Sequence, residues 1–246
     1  MLHCIAILSI GTVPVADYTL ATQVGSEDRS VYSFCMCPGG QIVPTSVNPN
    51  ELCLNGMSFS QRQSQWANSA LVVSLTPDDM KVYGEKEDDS VLRGIHWQQA
   101  MERRAAAMGG GNLVAPVQRA TDFMTGTVGD ASKSLNPITS SYRMGVKESP
   151  CHEIFPNYIT DSLREALLDF DRRMPGFLCD DAILHGIETR TSAPVQIIRD
   201  VAYQSVSCQG LFPTGEGAGY AGGIVSAAVD GMKVGIAVAR QLRGDN

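Results

Sequence analysis

Apolar positions along this chain fall mostly into short runs cut by glycine and proline, and only a few longer stretches repeat at helical spacing. The first ten residues, MLHCIAILSI, read as a buried strand, or as a chain start falling inside a larger protein. Val13–Val24 alternates loosely and suits a strand. Val31–Cys37 is a β-branched and aromatic run. Pro38-Gly39-Gly40 punctuates it before Gln41–Thr45 resumes, a pattern that predicts a hairpin. Further strands are expected at Glu51–Gly56 and at Asn68–Leu75, the latter closed by Thr76-Pro77. Asp78–Ser90 is charged and polar and reads as a surface loop.

Trp97–Met108 is rich in helix formers and stops at Gly109-Gly110-Gly111. Pro116–Met124 is expected to run from an extended stretch into a short helix, and Thr125–Ser141 reads as a loop. Thr160–Met174 predicts a helix, with Thr160 or Asp161 as N-cap and an apolar face of Leu163, Ala166, Leu167 and Phe170. Strands are then expected at Ala182–Thr191, Val195–Ile198 and Gly210–Pro213. A last helix over Ala221–Leu242 is built largely from Ala, Gly, Val and Ile.

Composition narrows this picture. The 246 residues suffice for one large domain or two small ones. Hydrophobic residues make up 43% and charged residues 18%, against a usual charged share of about 25%, so a sizeable core is expected. The net charge of −7 comes without any basic run, which argues against nucleic acid as a partner. Seven cysteines are an odd number, too sparse for a disulfide scaffold. With no secretory signal in the first residues, they point to a soluble protein of a reducing compartment.

The 24 glycines are clustered, most densely at Gly215–Gly223 (GEGAGYAGG). A strand, a glycine turn and a helix start in succession make an anion site, because free N–H groups and the helix dipole favour negative charge there. Glycine also lets a phosphate or ring approach the main chain without a Cβ in the way. Gly217-x-Gly219-x-x-Gly222 matches the dinucleotide fingerprint in letters. An opening Rossmann unit needs a second strand with an acidic residue about 20 residues on, and here the helix consumes nearly all of the chain beyond Gly222. The turn therefore reads as the closing half of a nucleotide site. Two other readings compete with it: a plain tight turn whose glycines serve packing, and a membrane span over Ala218–Ala239. Asp230 and Lys233 near its middle would cost a span about 2.5–3.5 kcal/mol each, so no span is expected.

The segment GLFPTGEGAGYAGGIVSAAVDGMKVG resembles the C-terminal motif of a family of uncharacterised FAD-dependent dehydrogenases of bacteria and plant chloroplasts. YSFCMCPGGQIVP with its downstream NGMS, MGGGNLVAPVQRATDF and HGIETRTSAPVQIIRD resemble the same family, and the likeness extends from Gly11 onward. The resemblance implies a two-domain flavoprotein. An N-terminal Rossmann half binds the adenosine part of FAD, a substrate domain is inserted, and the chain returns to complete the FAD domain. It implies that Glu216 lies beside the ribityl or pyrophosphate portion, and that Gly222, Gly223 and Ile224 face the pyrophosphate–flavin region. It also brings in the chloroplast as a compartment, though the first residues lack the character of a transit peptide. No strand–GxGxxG–helix unit precedes Gly11, so the family's opening half is expected to lie outside this sequence.

Other residues carry weaker signals. Cys35-x-Cys37 beside Pro38-Gly39-Gly40 suits either a thiol relay near a flavin or two ordinary strand cysteines on one face. No second pair completes a zinc site. His185 is a candidate acid or base, and Arg190 a candidate anion holder. Alternation puts Glu188 and Arg190 on one face and His185 on the other, and the plainer reading is a surface ion pair beside a satisfied core histidine. Arg119 and Asp122 sit three apart and suit a local pair. HEIFP at His152–Pro156 lacks the second histidine of a metalloprotease helix.

The expected fold is α/β: an α+β substrate domain with a mixed sheet, plus the strand–turn–helix end of a Rossmann-like FAD domain. Residues 1–30 are expected to be a linker and strand from the FAD domain, 31–190 the substrate-type domain, and 191–246 the C-terminal segment of the FAD domain. The expected function is the C-terminal part of an FAD-dependent oxidoreductase acting on an unknown small molecule, inactive by itself. The alternative is a non-catalytic α/β binding module. Catalytic candidates are Cys37, His185 and Arg190. Cofactor candidates are Gly215, Glu216, Gly217, Gly219, Tyr220, Gly222, Gly223 and Ile224. No metal is expected.

Overall fold

The computed structural model describes residues 2–6, 20–83, 86–87, 89–129 and 138–244, and for 2–6, 82–83 and 86–87 the backbone alone. The first part of the expected strand at Val13–Val24 and the middle of the expected loops at Asp78–Ser90 and Thr125–Ser141 lie outside the described residues. The chain divides into two compact units. Unit 1 comprises residues 1–76 and 99–189, and unit 2 comprises 77–98 and 190–246.

Unit 1 is built on a mixed sheet. Its strands in chain order are β1 (Leu2–Ala6), β2 (Ala21–Val24), β3 (Arg29–Pro38), β6 (Ala67–Val73), β9 (Ala115–Arg119), β10 (Val146–Glu148) and β11 (Ile183–His185), with a separate pair of β4 (Gly40–Pro44) and β5 (Leu54–Ser58). The seven-stranded order is β10-β9-β11-β1-β6-β3-β2. All pairings are antiparallel except the parallel β10–β9. The strand expected at the chain start forms, and it is the fourth of the seven.

The expected hairpin across Pro38-Gly39-Gly40 does not close. β4 leaves the sheet and pairs with β5 in the register Gly40↔Ser58 to Pro44↔Leu54. Gly39 has φ +59°, and a Cβ there would lie 2.1 Å from the Arg62 carbonyl carbon. The glycine turns the chain past another backbone segment, so β4 is led away from β3.

The helix α3 (Asn157–Arg173) covers β2, β3 and β6. Ile159, Leu163, Ala166, Leu167 and Phe170 recur at helical spacing and are all buried. The N-cap is Pro156, in extended conformation, and Thr160 lies inside the helix with its hydroxyl donating to the His152 carbonyl at 2.8 Å. Proline's fixed φ and missing N–H suit a helix start, and they outrank the Thr160 and Asp161 caps expected from sequence. At the far end Asp171 Oδ1 accepts the N–H groups of Gly176 and Leu178 at 3.0 and 2.9 Å. Phe177 folds back edge-on to Phe170, with ring centroids 5.8 Å apart. Arg173 donates to the Ala21 carbonyl at 2.7 Å, which fastens the helix to the edge strand.

The predicted passage from strand to short helix after Pro116 forms as β9 and α2 (Ala120–Thr125), closed by Gly126 at φ +71°. The first long helix, α1 (Arg93–Gly109), starts four residues earlier than expected. From Gln99 onward it belongs to unit 1, where Met101, Glu102, Ala105 and Ala106 are buried.

Unit 2 holds the two-residue strands β7 (Val82–Tyr83) and β8 (Lys86–Glu87) and the helix α4 (Ile224–Arg243). The expected strands at Val195–Ile198 and Gly210–Pro213 are not laddered into a sheet among the described residues. One isolated bridge, Arg199↔Ser205, stands in their place. Strand character needs a neighbouring strand to pair with, and these apolar segments have none among the described residues of this unit. No helix among the described residues is long and apolar enough to cross a membrane.

Candidate functional site

The Gly215–Gly223 turn lies wholly in unit 2 and leads directly into α4. Two bonds close it on itself: the Gly219 N–H donates to the Glu216 carbonyl at 2.9 Å, and the Tyr220 N–H to that of Gly215 at 3.0 Å. Gly215 (φ +70°) and Gly219 (φ +82°) take the left-handed conformation that only glycine adopts without strain. Gly219 also rests on the backbone of Val195 and Gln196, where a Cβ would meet the Val195 carbonyl oxygen at 2.6 Å. Gly223 is the N-cap of α4, and its N–H donates to Ser226 Oγ at 3.1 Å. The first-turn N–H groups of Ile224 and Val225 have no acceptor within the helix.

Backbone conformation accounts for Gly215, and conformation with close packing for Gly219, but neither accounts for every glycine of the turn. A Cβ placed on Gly217 or on Gly222 would meet nothing within 4 Å among the described residues. The same is true of Gly231 and Gly235 on α4. Glu216 is exposed. Tyr220 is engaged internally: its hydroxyl donates to the Ile197 carbonyl at 3.0 Å and accepts the Arg199 N–H at 3.1 Å. α4 itself carries apolar side chains outward. Val234 alone among its side chains is buried, while Ile224, Val225, Met232 and Leu242 are each two-thirds or more exposed.

Sequence reasoning misses an ion pair under the turn. Asp230 accepts from Arg199 Nη1 and Nη2 at 2.9 and 2.6 Å, from Thr214 Oγ1 at 3.0 Å and from the Gly215 N–H at 2.9 Å. The bond to Arg199, with those to Gly215 and Thr214, holds its carboxyl well below the usual carboxylate range. A signal for the pair was available. An aspartate in a helix of Ala, Gly, Val and Ile calls for a compensating charge, and Arg199 lies in the preceding apolar segment.

In unit 1 the structure places Cys37 at the end of a β-bulge in β3, with Cys35 at φ +50° and a register shift between Phe34 and Cys37. The bulge interrupts the alternation that would put both cysteines on one face. Burial pushes the Cys37 thiol up, and the Glu188 charge adds to this against the opposing pull of Arg62. The thiol form is thereby favoured over the reactive thiolate. Directly across the ladder from Cys37 stands Asn68. It is buried, and neither its Oδ1 nor its Nδ2 has a hydrogen-bond partner among the described residues.

His185 is fully buried at the end of β11. Its Nδ1 lies 3.2 Å from the Ile183 carbonyl and its Nε2 2.7 Å from Ser140 Oγ. A proton on Nδ1 satisfies the carbonyl and leaves Nε2 to accept from Ser140. The expected strand ends at His185, so Glu188 and Arg190 do not share a strand face. Glu188 is buried in unit 1, and Arg190 is a half-buried residue of unit 2. Arg119 donates to the Asp180 carbonyl at 3.0 Å from the end of β9.

The described residues form a mixed α/β arrangement in which the glycine turn leads into the start of α4. The family model described as FAD-dependent protein, C-terminal domain-like, matches residues 9–191, and the chain belongs to that family. A protein of Clostridium beijerinckii (strain ATCC 51743 / NCIMB 8052), described as "Uncharacterized protein", is 47% identical over 219 residues. That match covers 89% of this chain and 39% of the relative, so the chain spans well under half of the relative's length.

Proposed function

We propose that this chain is the C-terminal part of an FAD-dependent oxidoreductase, and that its glycine turn is one half of the FAD site. The observation that carries this reading is the openness of Gly217 and Gly222. Their missing side chains serve no contact among the described residues, which leaves the main chain there open to something that approaches from outside. Gly217 and Gly222 would admit the FAD pyrophosphate to the main chain, and the Ile224 and Val225 N–H groups with the helix dipole would hold its charge. Glu216, exposed at the rim, would stand beside the ribityl portion. When bound, FAD supplies hydride exchange with a small molecule, while the protein supplies binding, orientation and electrostatics.

The division of labour runs along the chain. Residues 191–246 would belong to the FAD-binding domain and 31–190 to a substrate-type domain, to whose sheet β1 and β2 also contribute. In favour of this, the family match ends at residue 191, beside the division of the two units at residues 189 and 190. The outward Ile224, Val225 and Met232 of α4 fit a helix that packs against the dinucleotide-binding half of a longer polypeptide. Gel filtration after incubation with FAD tests the reading. The 246-residue chain is expected to emerge without flavin absorbance, and the chain joined to a dinucleotide-binding half is expected to keep it. Flavin kept by the chain alone would sink the half-site, and a joined polypeptide without flavin would sink FAD as the ligand.

A further inference from the structure

We propose that Arg199 and Asp230 are positioning residues, a latch that sets the Gly215–Gly223 turn in its receiving shape before any ligand arrives. The proposal rests on the turn being the FAD-receiving element, and it concerns how that element keeps its form.

Both ends of the turn are tied to this one ion pair. At the leading end, Asp230 takes the Thr214 hydroxyl and the Gly215 N–H, and Arg199 Nη1 donates to the Pro213 carbonyl at 2.8 Å. At the trailing end, the Arg199 guanidinium lies 3.6 Å from the Tyr220 ring centroid, with Tyr203 on it at 4.8 Å. The Arg199 N–H reaches the Tyr220 hydroxyl as well. A planar guanidinium can make a two-pronged carboxylate contact and stack on rings at the same time, which an ammonium cannot. The side chains of the pair are 10% and 12% exposed, so water competes little for either.

The latch also settles an electrostatic difficulty. Asp230 lies in the second turn of α4, under a loop proposed to take a phosphate. An uncompensated carboxylate there would repel the ligand. Arg199 cancels its charge and leaves the helix dipole to act on the turn. The residues between the pinned ends, Glu216–Gly219, hang from fixed points, and Gly217 stays open to the outside.

Hydrogen exchange on the 246-residue chain tests the latch without any cofactor. Asp230→Asn is expected to speed exchange at Gly215, Gly219 and Tyr220 by at least about tenfold. α3 in unit 1 should be unchanged. Asp230→Glu should restore part of the protection, and Arg199→Lys should loosen the same amides without removing the charge. Unchanged exchange in Asp230→Asn would overturn the latch. So would acceleration spread evenly over 190–244 in both Asp230→Asn and Arg199→Lys, since that reports a general loss of folding. A titration of the same proteins with millimolar FAD, followed by amide NMR shifts, separates the two claims. Shifts confined to the turn in the parent chain and weakened in Asp230→Asn support both. Loosened exchange in Asp230→Asn, with no flavin kept by the parent chain joined to a dinucleotide-binding half, leaves the latch standing and removes the FAD reading.

Discussion

Alanine substitutions along the glycine turn should divide into two groups, because the same added methyl meets different surroundings. At Gly219 the chain sits at φ +82°, and the new Cβ would lie 2.6 Å from the Val195 oxygen and 2.9 Å from the Gln196 Cα. Both are backbone atoms and cannot rotate aside. The left-handed conformation costs about 1–2 kcal/mol for a residue with a Cβ. Overpacking adds about 1–3 kcal/mol, so Gly219→Ala should destabilise unit 2 by about 2–5 kcal/mol. The displaced segment would also strain the Ile197 N–H bond to the Ala218 carbonyl, now 3.1 Å.

Gly217 and Gly222 are not in the left-handed region and have nothing within 4 Å of the added atom. Gly217→Ala and Gly222→Ala should leave stability within about 0.5 kcal/mol of the parent, the usual range for surface changes. Either methyl would nevertheless stand where the pyrophosphate is proposed to approach. Flavin affinity in the joined polypeptide should fall at least about tenfold, or about 1.4 kcal/mol. Urea unfolding followed by far-ultraviolet circular dichroism gives the first quantity, and flavin fluorescence titration the second. A Gly217→Ala protein that binds FAD as tightly as its parent refutes the open-cradle reasoning. A Gly219→Ala protein as stable as its parent refutes the packing assigned to that residue.

Two more predictions concern unit 1. Asn68 has both amide atoms buried without partners among the described residues, so Asn68→Leu should raise stability by about 1–3 kcal/mol in urea unfolding; a loss of stability would show that the amide is satisfied in solution. His152 Nδ1 lies 2.9 Å from Gln118 Nε2, and burial first, then Arg164, hold its imidazole below the usual range against the opposing pull of Glu153. The unfolded chain therefore takes up this proton first, and the contribution of neutral His152 is full above about pH 6.5 and declines as pH falls from there through the folded pKa. His152→Gln should flatten that part of the urea-midpoint profile, and an identical slope in both proteins would contradict the assignment.

Legibility in the sequence depends on what each residue packs against. α3 is legible because Leu163, Ala166, Leu167 and Phe170 pack on the sheet of unit 1, and their spacing records that contact. The β4 excursion is not legible. Pro-Gly-Gly announces a change of direction, but the direction is set by Arg62, far along the chain from Gly39 in sequence terms and touching it in space. The Arg199–Asp230 pair is half legible: Asp230 in an apolar helix calls for a compensating charge, but 31 positions separate it from Arg199 and nothing local says which charge answers it. α4 presents the reverse case. Its sequence reads as a buried helix, yet Ile224, Val225, Met232 and Ile236 face outward. Local pattern and fold agree in most natural elements, and a disagreement of this kind marks a functional surface or an interface. The apolar letters of α4 and the open glycines at its head point the same way, and the proposed dinucleotide-binding half is a neighbour that would use both at once.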